Sequence, residues 1–101
     1  MSTTDLPVQP YFLSTHAKLR MQQRGIDRNH IEQVLRYGRT VRAHGAAIFH
    51  VVGRKEIQRY GLIDPLLSAA EGVHLLLSAE GVVITAYRTH ELRKLRLQKN
   101  H

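Results

Sequence analysis

Apolar residues recur at helical spacing twice near the start of the chain, then give way to the shorter period of strands. Over residues 15–24, Ala17 and Met21, with Leu13 ahead of them, form one apolar side. Ser14 and Thr15 supply a cap signal before the run, and Gly25 supplies the left-handed stop that commonly ends helices. A second helix is signalled more strongly. Asp27 caps it, Ile26 packs back on Ile31 as a hydrophobic staple, Ile31, Val34 and Leu35 form its stripe, and Gly38 closes it. With only Gly25 and Ile26 between the first run and the second cap, the two helices are expected to form a compact pair.

After Gly38 the period becomes extended. Residues 39–43 read as a short strand, His44 and Gly45 as a turn, and residues 46–52 as a strand rich in aromatic and β-branched side chains. Gly53 permits a turn or bulge, after which residues 54–57 are expected to continue the sheet. Residues 61–70, with Pro65 among several apolar side chains, read as a loop containing one short helical turn. Residues 73–77 and 82–87 flank Ser78, Ala79, Glu80 and Gly81, and predict a hairpin of two central strands. Their nearly continuous apolar character implies that both sheet faces are partly covered, one of them by the two helices.

The ends are simpler. Pro7 and Pro10 deny residues 1–12 a helix, so this stretch reads as a leader anchored through Tyr11, Phe12 and Leu13. Residues 90–97 read as a short basic helix that docks Leu92 and Leu95 and turns Arg93, Lys94 and Arg96 outward. The predicted architecture is α+β: a single domain over residues 13–101, with two N-terminal helices packed on a small antiparallel sheet and a short basic helix at the C-terminal end.

Composition narrows the chemistry. The 101 residues contain no cysteine, which excludes disulfides, thiolate nucleophiles and sulfur-based zinc sites. No apolar run approaches the roughly 20 residues of a membrane helix, and the first residues lack the regions of a secretory signal, so no membrane partner and a cytoplasmic location are expected. Fifteen Lys and Arg against eight Asp and Glu give a formal charge of +7, which favours a polyanion and makes RNA the leading partner.

Within that charge one row stands out. His16, Arg20 and Arg24 follow one another at steps of four, about 40° apart around a helix axis, and share one side of it. Imidazole exchanges protons near neutrality and guanidinium grips phosphate in a forked geometry, so the row suits RNA cleavage chemistry. The competing readings are local: His16 as a cap or packed on Tyr11 or Phe12, and Arg20 and Arg24 in ordinary ion pairs, with Glu32 as one partner. His50, Arg54 and Lys55 form a second cationic group near the expected strand end, joined for nucleic-acid binding by Arg88, Arg93, Lys94 and Arg96. A metal site from His44, His50 and His74 lacks any compact ligand motif, and no Gly-rich nucleotide loop or GxSxG segment is present, so no cofactor is expected.

The pattern His16-Ala17-x-x-Arg20-Met21-x-x-Arg24-Gly25-Ile26, followed by Ile31-Glu32-x-Val34-Leu35-x-x-Gly38 and later by Val83-Ile84-Thr85-Ala86-Tyr87-Arg88, resembles a bacterial family of domains of unknown function numbered 4258. The resemblance covers roughly residues 12–89. That family is similar in turn to the small ribonuclease toxins related to barnase, the colicin nucleases and RelE. The resemblance implies a metal-independent endoribonuclease that cleaves by attack of the ribose 2′-hydroxyl on its phosphate, with a neutralising antitoxin as partner. It implies His16 as base or acid, Arg20 and Arg24 as charge stabilisers, Thr85 as a phosphate hydrogen-bond donor, and Tyr87 as a stacking group or proton donor. Thr85 and Tyr87 are two apart on a strand and so share a face, although both are favourable strand residues without any chemistry. The alternatives are a noncatalytic RNA- or DNA-binding module, and a protein-interaction domain meeting an acidic partner.

Overall fold

Two capped helices lead into the sheet. In the computed structural model, which describes residues 9–89, helix α1 (Thr15–Arg24) starts where the Ser14 hydroxyl accepts a hydrogen bond from the Ala17 amide at 2.9 Å. It stops at Gly25, whose φ of 65° is the left-handed conformation that glycine adopts without a Cβ clash. Helix α2 (Arg28–Tyr37) opens with a reciprocal cap. Asp27 Oδ1 accepts from the His30 amide at 3.1 Å, while His30 Nδ1 accepts from the Asp27 amide at 3.0 Å, so a histidine takes the part more often played by Glu or Gln. Gly38 ends α2 for want of space: a Cβ there would lie 2.5 Å from the Val34 carbonyl oxygen and 3.0 Å from that of Val51.

The sheet contains β1 (Phe12–Leu13), β2 (Arg39–Arg42), β3 (Ile48–Val51), β4 (Val73–Leu77) and β5 (Val82–Arg88), in the order β1-β5-β4-β3-β2. Strands β2 to β5 pair antiparallel, as expected. β1 pairs parallel to β5, Phe12 beside Val82 and Leu13 beside Val83, so the sheet is mixed rather than purely antiparallel. The stretch read as an anchored leader therefore ends in a strand. The Ser14 hydroxyl then donates to the Ile84 carbonyl at 2.9 Å and fastens the start of α1 to β5. A bulge interrupts β4–β5: Leu77 pairs with Val83 and Leu76 with Thr85, which leaves Ile84 as the extra residue.

Residues 54–57 do not continue the sheet. They open a third helix, α3 (Arg54–Tyr60). Glu56 sets it, accepting from the Gly53 amide at 2.7 Å and from Arg39 Nη1 at 2.8 Å while itself buried. The seven residues of α3 are too few to display a helical period. The helical turn expected within residues 61–70 is a 3-10 segment, Pro65–Ala70, capped by Asp64.

One side of the sheet holds the core. Ala17 and Met21 of α1 and Ile31 and Val34 of α2 pack with Leu75, Leu77, Val83 and Ala86, all buried, and Leu67 and Ala70 close the cluster from the 3-10 segment. Burial of this kind supplies the main folding drive, at roughly 25 cal/mol per Å² of apolar surface. Among the described residues, no helix is long and apolar enough to cross a membrane. The basic helix expected over residues 90–97, with Arg93, Lys94 and Arg96, lies outside the described residues.

Candidate nucleic-acid interface

The local rules that form α1 also display its cations. Ala17 and Met21 fix the buried side, and His16, Lys18 and Arg24 are left exposed with Arg20 half-buried between them. The helix contains no acidic residue. Ser14 performs the capping, so His16 is not needed for it. Among the described residues, Arg39 is paired with a carboxylate, that of Glu56. Glu32, the partner expected to compete for Arg20 and Arg24, instead accepts from the Tyr11 hydroxyl at 3.0 Å. Arg28 occupies the same tyrosine, its guanidinium carbon 5.9 Å from the ring centroid and Nη1 3.4 Å from the hydroxyl. Arg20 Nε is buried without a hydrogen-bond partner. Among the described residues the row is therefore paired to no carboxylate, its imidazole and two guanidinium groups standing one turn apart along α1.

Thr85 and Tyr87 share a face of β5, as their spacing predicted, but it is the face turned away from α1. Ala86, between them, packs in the cluster with Ala17 and Met21. Across the ladder Tyr87 stands beside His74 and Thr85 beside Leu76, and these stand beside Val51 and Phe49 of β3. The His74 ring stacks on Tyr87 with centroids 5.0 Å apart and meets Phe49 edge-on at 6.0 Å. His74 is 5% exposed, and burial lowers its pKa below the ordinary imidazole value, which keeps it neutral at pH 7. Thr85 is 4% exposed, and among the described residues its hydroxyl has no hydrogen-bond partner. Among the described residues, no hydrogen bond or ion pair joins His16, Arg20 or Arg24 to Thr85 or Tyr87. The structure brings together three of the five residues on α1 and two on the far sheet face.

The remaining candidate binding residues are scattered. His50 pairs in register with Leu75 and Thr40, so it lies on the helix-bearing face, where with Thr40, Ile48, Leu77 and Ser78 it borders a groove of about 260 Å³. Burial lowers its pKa too. His74 points to the opposite face, and His44 is exposed in the β2–β3 turn, so these three histidines do not converge. Among the described residues, no group of three or more metal-ligating side chains assembles. Arg54 and Lys55 are exposed on the first turn of α3, and Arg88 Nη1 donates to the Ala69 carbonyl at 3.0 Å. Sequence reasoning missed the row formed by Phe49, His74 and Tyr87. Counting outward from Ser78 and Gly81 sets His74 opposite Thr85, and the register shift at Leu76 and Leu77 is what brings Tyr87 beside it instead.

A family model described as Domain of unknown function (DUF4258) matches residues 13–66, which is 54 of the 101 residues. The matched span holds His16, Arg20, Arg24, His50, Arg54 and Lys55, and leaves out Thr85 and Tyr87. No curated protein and no solved structure matches the chain.

Proposed function

The chain belongs to the DUF4258 family, a description that carries no activity, and from the geometry we propose that it is an RNA-binding domain whose contact element is α1. The observation that carries this reading is the row His16, Arg20 and Arg24, standing at one-turn intervals with no carboxylate on their helix and none paired to them. An isolated surface cation is ordinary. Two guanidinium groups one turn apart, left unpaired among the described residues while Glu32 is engaged by Tyr11, match the demands of a phosphate backbone. The overall charge of +7 adds long-range attraction for the same ligand.

A second reading, a small toxin-type endoribonuclease with an antitoxin partner, is favoured by one observation: His16 is an exposed imidazole one turn ahead of Arg20. Attack of a 2′-hydroxyl on the adjacent phosphate requires a proton acceptor, a proton donor for the leaving oxygen, and cations around the phosphorane. His16 supplies one proton-transfer group and the arginines supply the charge. Tyr87, assigned the second transfer by resemblance, stacks on His74 on the far face, and this ranks binding above cleavage.

Fluorescence anisotropy with single-stranded RNA across a salt series tests the proposal. Wild type is expected to bind with a log–log slope of about 0.7 per phosphate neutralised, and the double variant Arg20→Ala, Arg24→Ala to lose most of that dependence. Equal binding by the double variant would remove α1 from the interface. Cleavage in chelator by wild type that disappears in His16→Ala would promote the endoribonuclease reading.

A further inference from the structure

The segment after α3 presents large apolar side chains to water from a backbone that is firmly held. Leu62 is 97% exposed, Ile63 52% and Leu66 74%. The Ile63 and Asp64 amides both donate to the Tyr60 carbonyl, at 3.0 and 2.9 Å, and the Leu67 amide donates to the Asp64 carbonyl at 3.0 Å. The Asp64 side chain, 2% exposed, accepts from the Leu66 amide and from Gln33 Nε2 at 2.8 Å. Leu67 is fully buried. Asp64 and Leu67 thus anchor the segment inward while Leu62, Ile63 and Leu66 stand outward, a preorganised knob rather than a frayed loop.

The charges beside the knob are of one sign. α3 exposes Arg54, Lys55 and Arg59; Lys55 and Arg59, four apart, share one side of the helix, and Leu62 follows two residues after its end. The two acids of this stretch, Glu56 and Asp64, are buried and bonded inward. We propose that the knob of Leu62, Ile63 and Leu66, with the α3 cations beside it, is a docking surface for an acidic amphipathic segment of another protein. Apolar anchors would cover the leucines, and carboxylates would meet Lys55 and Arg59. A second copy of this chain is a poorer occupant, because it would bring two strongly cationic surfaces together. The surface is separate in sequence from α1 and independent of what α1 binds.

The test uses the full chain and a synthetic helical peptide of about 18 residues, with leucine at every third and fourth position and glutamate between. Wild type is expected to bind it, with NMR amide shifts centred on residues 59–66. The double variant Leu62→Ser, Leu66→Ser is expected to weaken binding tenfold or more with an unchanged circular dichroism spectrum. Arg59→Glu, which leaves the apolar residues in place, is expected to weaken binding and reduce its salt dependence, while Arg24→Ala leaves it unaltered. Absence of peptide binding, equal binding by both knob variants, or equal binding of a peptide with every leucine replaced by serine would each overturn the proposal. A wild-type dimer dispersed by Leu62→Ser would assign the knob to a second copy. Binding to phosphatidylserine vesicles, lost in Leu62→Ser and unmatched by the peptide, would assign it to a membrane surface.

Discussion

Helix α1 and the far face of β5 both carry groups suited to phosphate chemistry, and the fold uses them in opposite ways. On α1, His16 and Arg24 reach into solvent and, among the described residues, the arginines meet no carboxylate. On the far face, Tyr87 is stacked, His74 is buried between two rings, and Thr85 is enclosed. Groups of the first kind add little to folding and remain free for a ligand. Those of the second kind are packed into the protein, so changing them should alter stability before it alters binding.

The largest effect separating the two regions is expected from truncating the stacked imidazole. His74→Ala removes a side chain in contact with Phe49 and Tyr87 and leaves a cavity, which should cost roughly 2–4 kcal/mol in urea unfolding. His16→Ala, at an exposed position, should stay within about 0.5 kcal/mol of wild type. Equal losses in the two variants would abolish the distinction.

The difference between the regions was only partly visible in the chain. Helix caps act over three or four residues, so Ser14, Gly25 and Asp27 were readable as boundaries. That Thr85 and Tyr87 share a face followed from the period of two. Which face they share did not, because residues 73–77 and 82–87 are apolar on both sides and carry no alternation to orient them. The bulge at Leu76 and Leu77 then decides that Tyr87 meets His74, and no local residue announces it. α3 was hidden for a related reason: Glu56 makes its ion pair with Arg39, 17 residues earlier, a partner that only the fold supplies.

Acid should separate the regions next. The folded-state pKa of His74 lies below its unfolded value because burial opposes the charged form. As pH falls through about 6.5, the unfolded chain takes up a proton that the native protein refuses, so stability is lost downward from that point by up to about 1.4 kcal/mol per pH unit. His50, half-buried, is shifted in the same direction by burial and contributes with the same sign. Urea midpoints from pH 7.5 to about 5 should show this decline in wild type and in His16→Ala, and a flatter profile in a His74→Phe variant, which keeps a ring in the stack without a titrating nitrogen. A profile unchanged by His74→Phe would locate the titration elsewhere.

Thr85 offers a gain of about 1 kcal/mol. Its buried hydroxyl has no partner, and Thr85→Val removes that polar group while keeping the branched shape favoured in strands. Thermal unfolding should shift upward, and RNA affinity should not change. A loss of affinity with normal stability would instead place the hydroxyl at the ligand and join the far face to the α1 surface.

The smallest effects lie within α1 itself, and their signs are informative. Arg24 is exposed and unpaired, so Arg24→Ala should leave stability within about 0.5 kcal/mol while weakening RNA binding. Arg20 is half-buried with Nε unpartnered, so Arg20→Met keeps an apolar stem over the helix and removes a donor that nothing satisfies, which should raise stability by a few tenths of a kcal/mol. On the proposed RNA-binding reading Arg20 also meets a phosphate, so affinity should fall as stability rises. That opposed pair of signs is what a position kept for a ligand shows; a fall in both would mean that Arg20 serves the fold and that the α1 row is no different in kind from the stacked groups on β5.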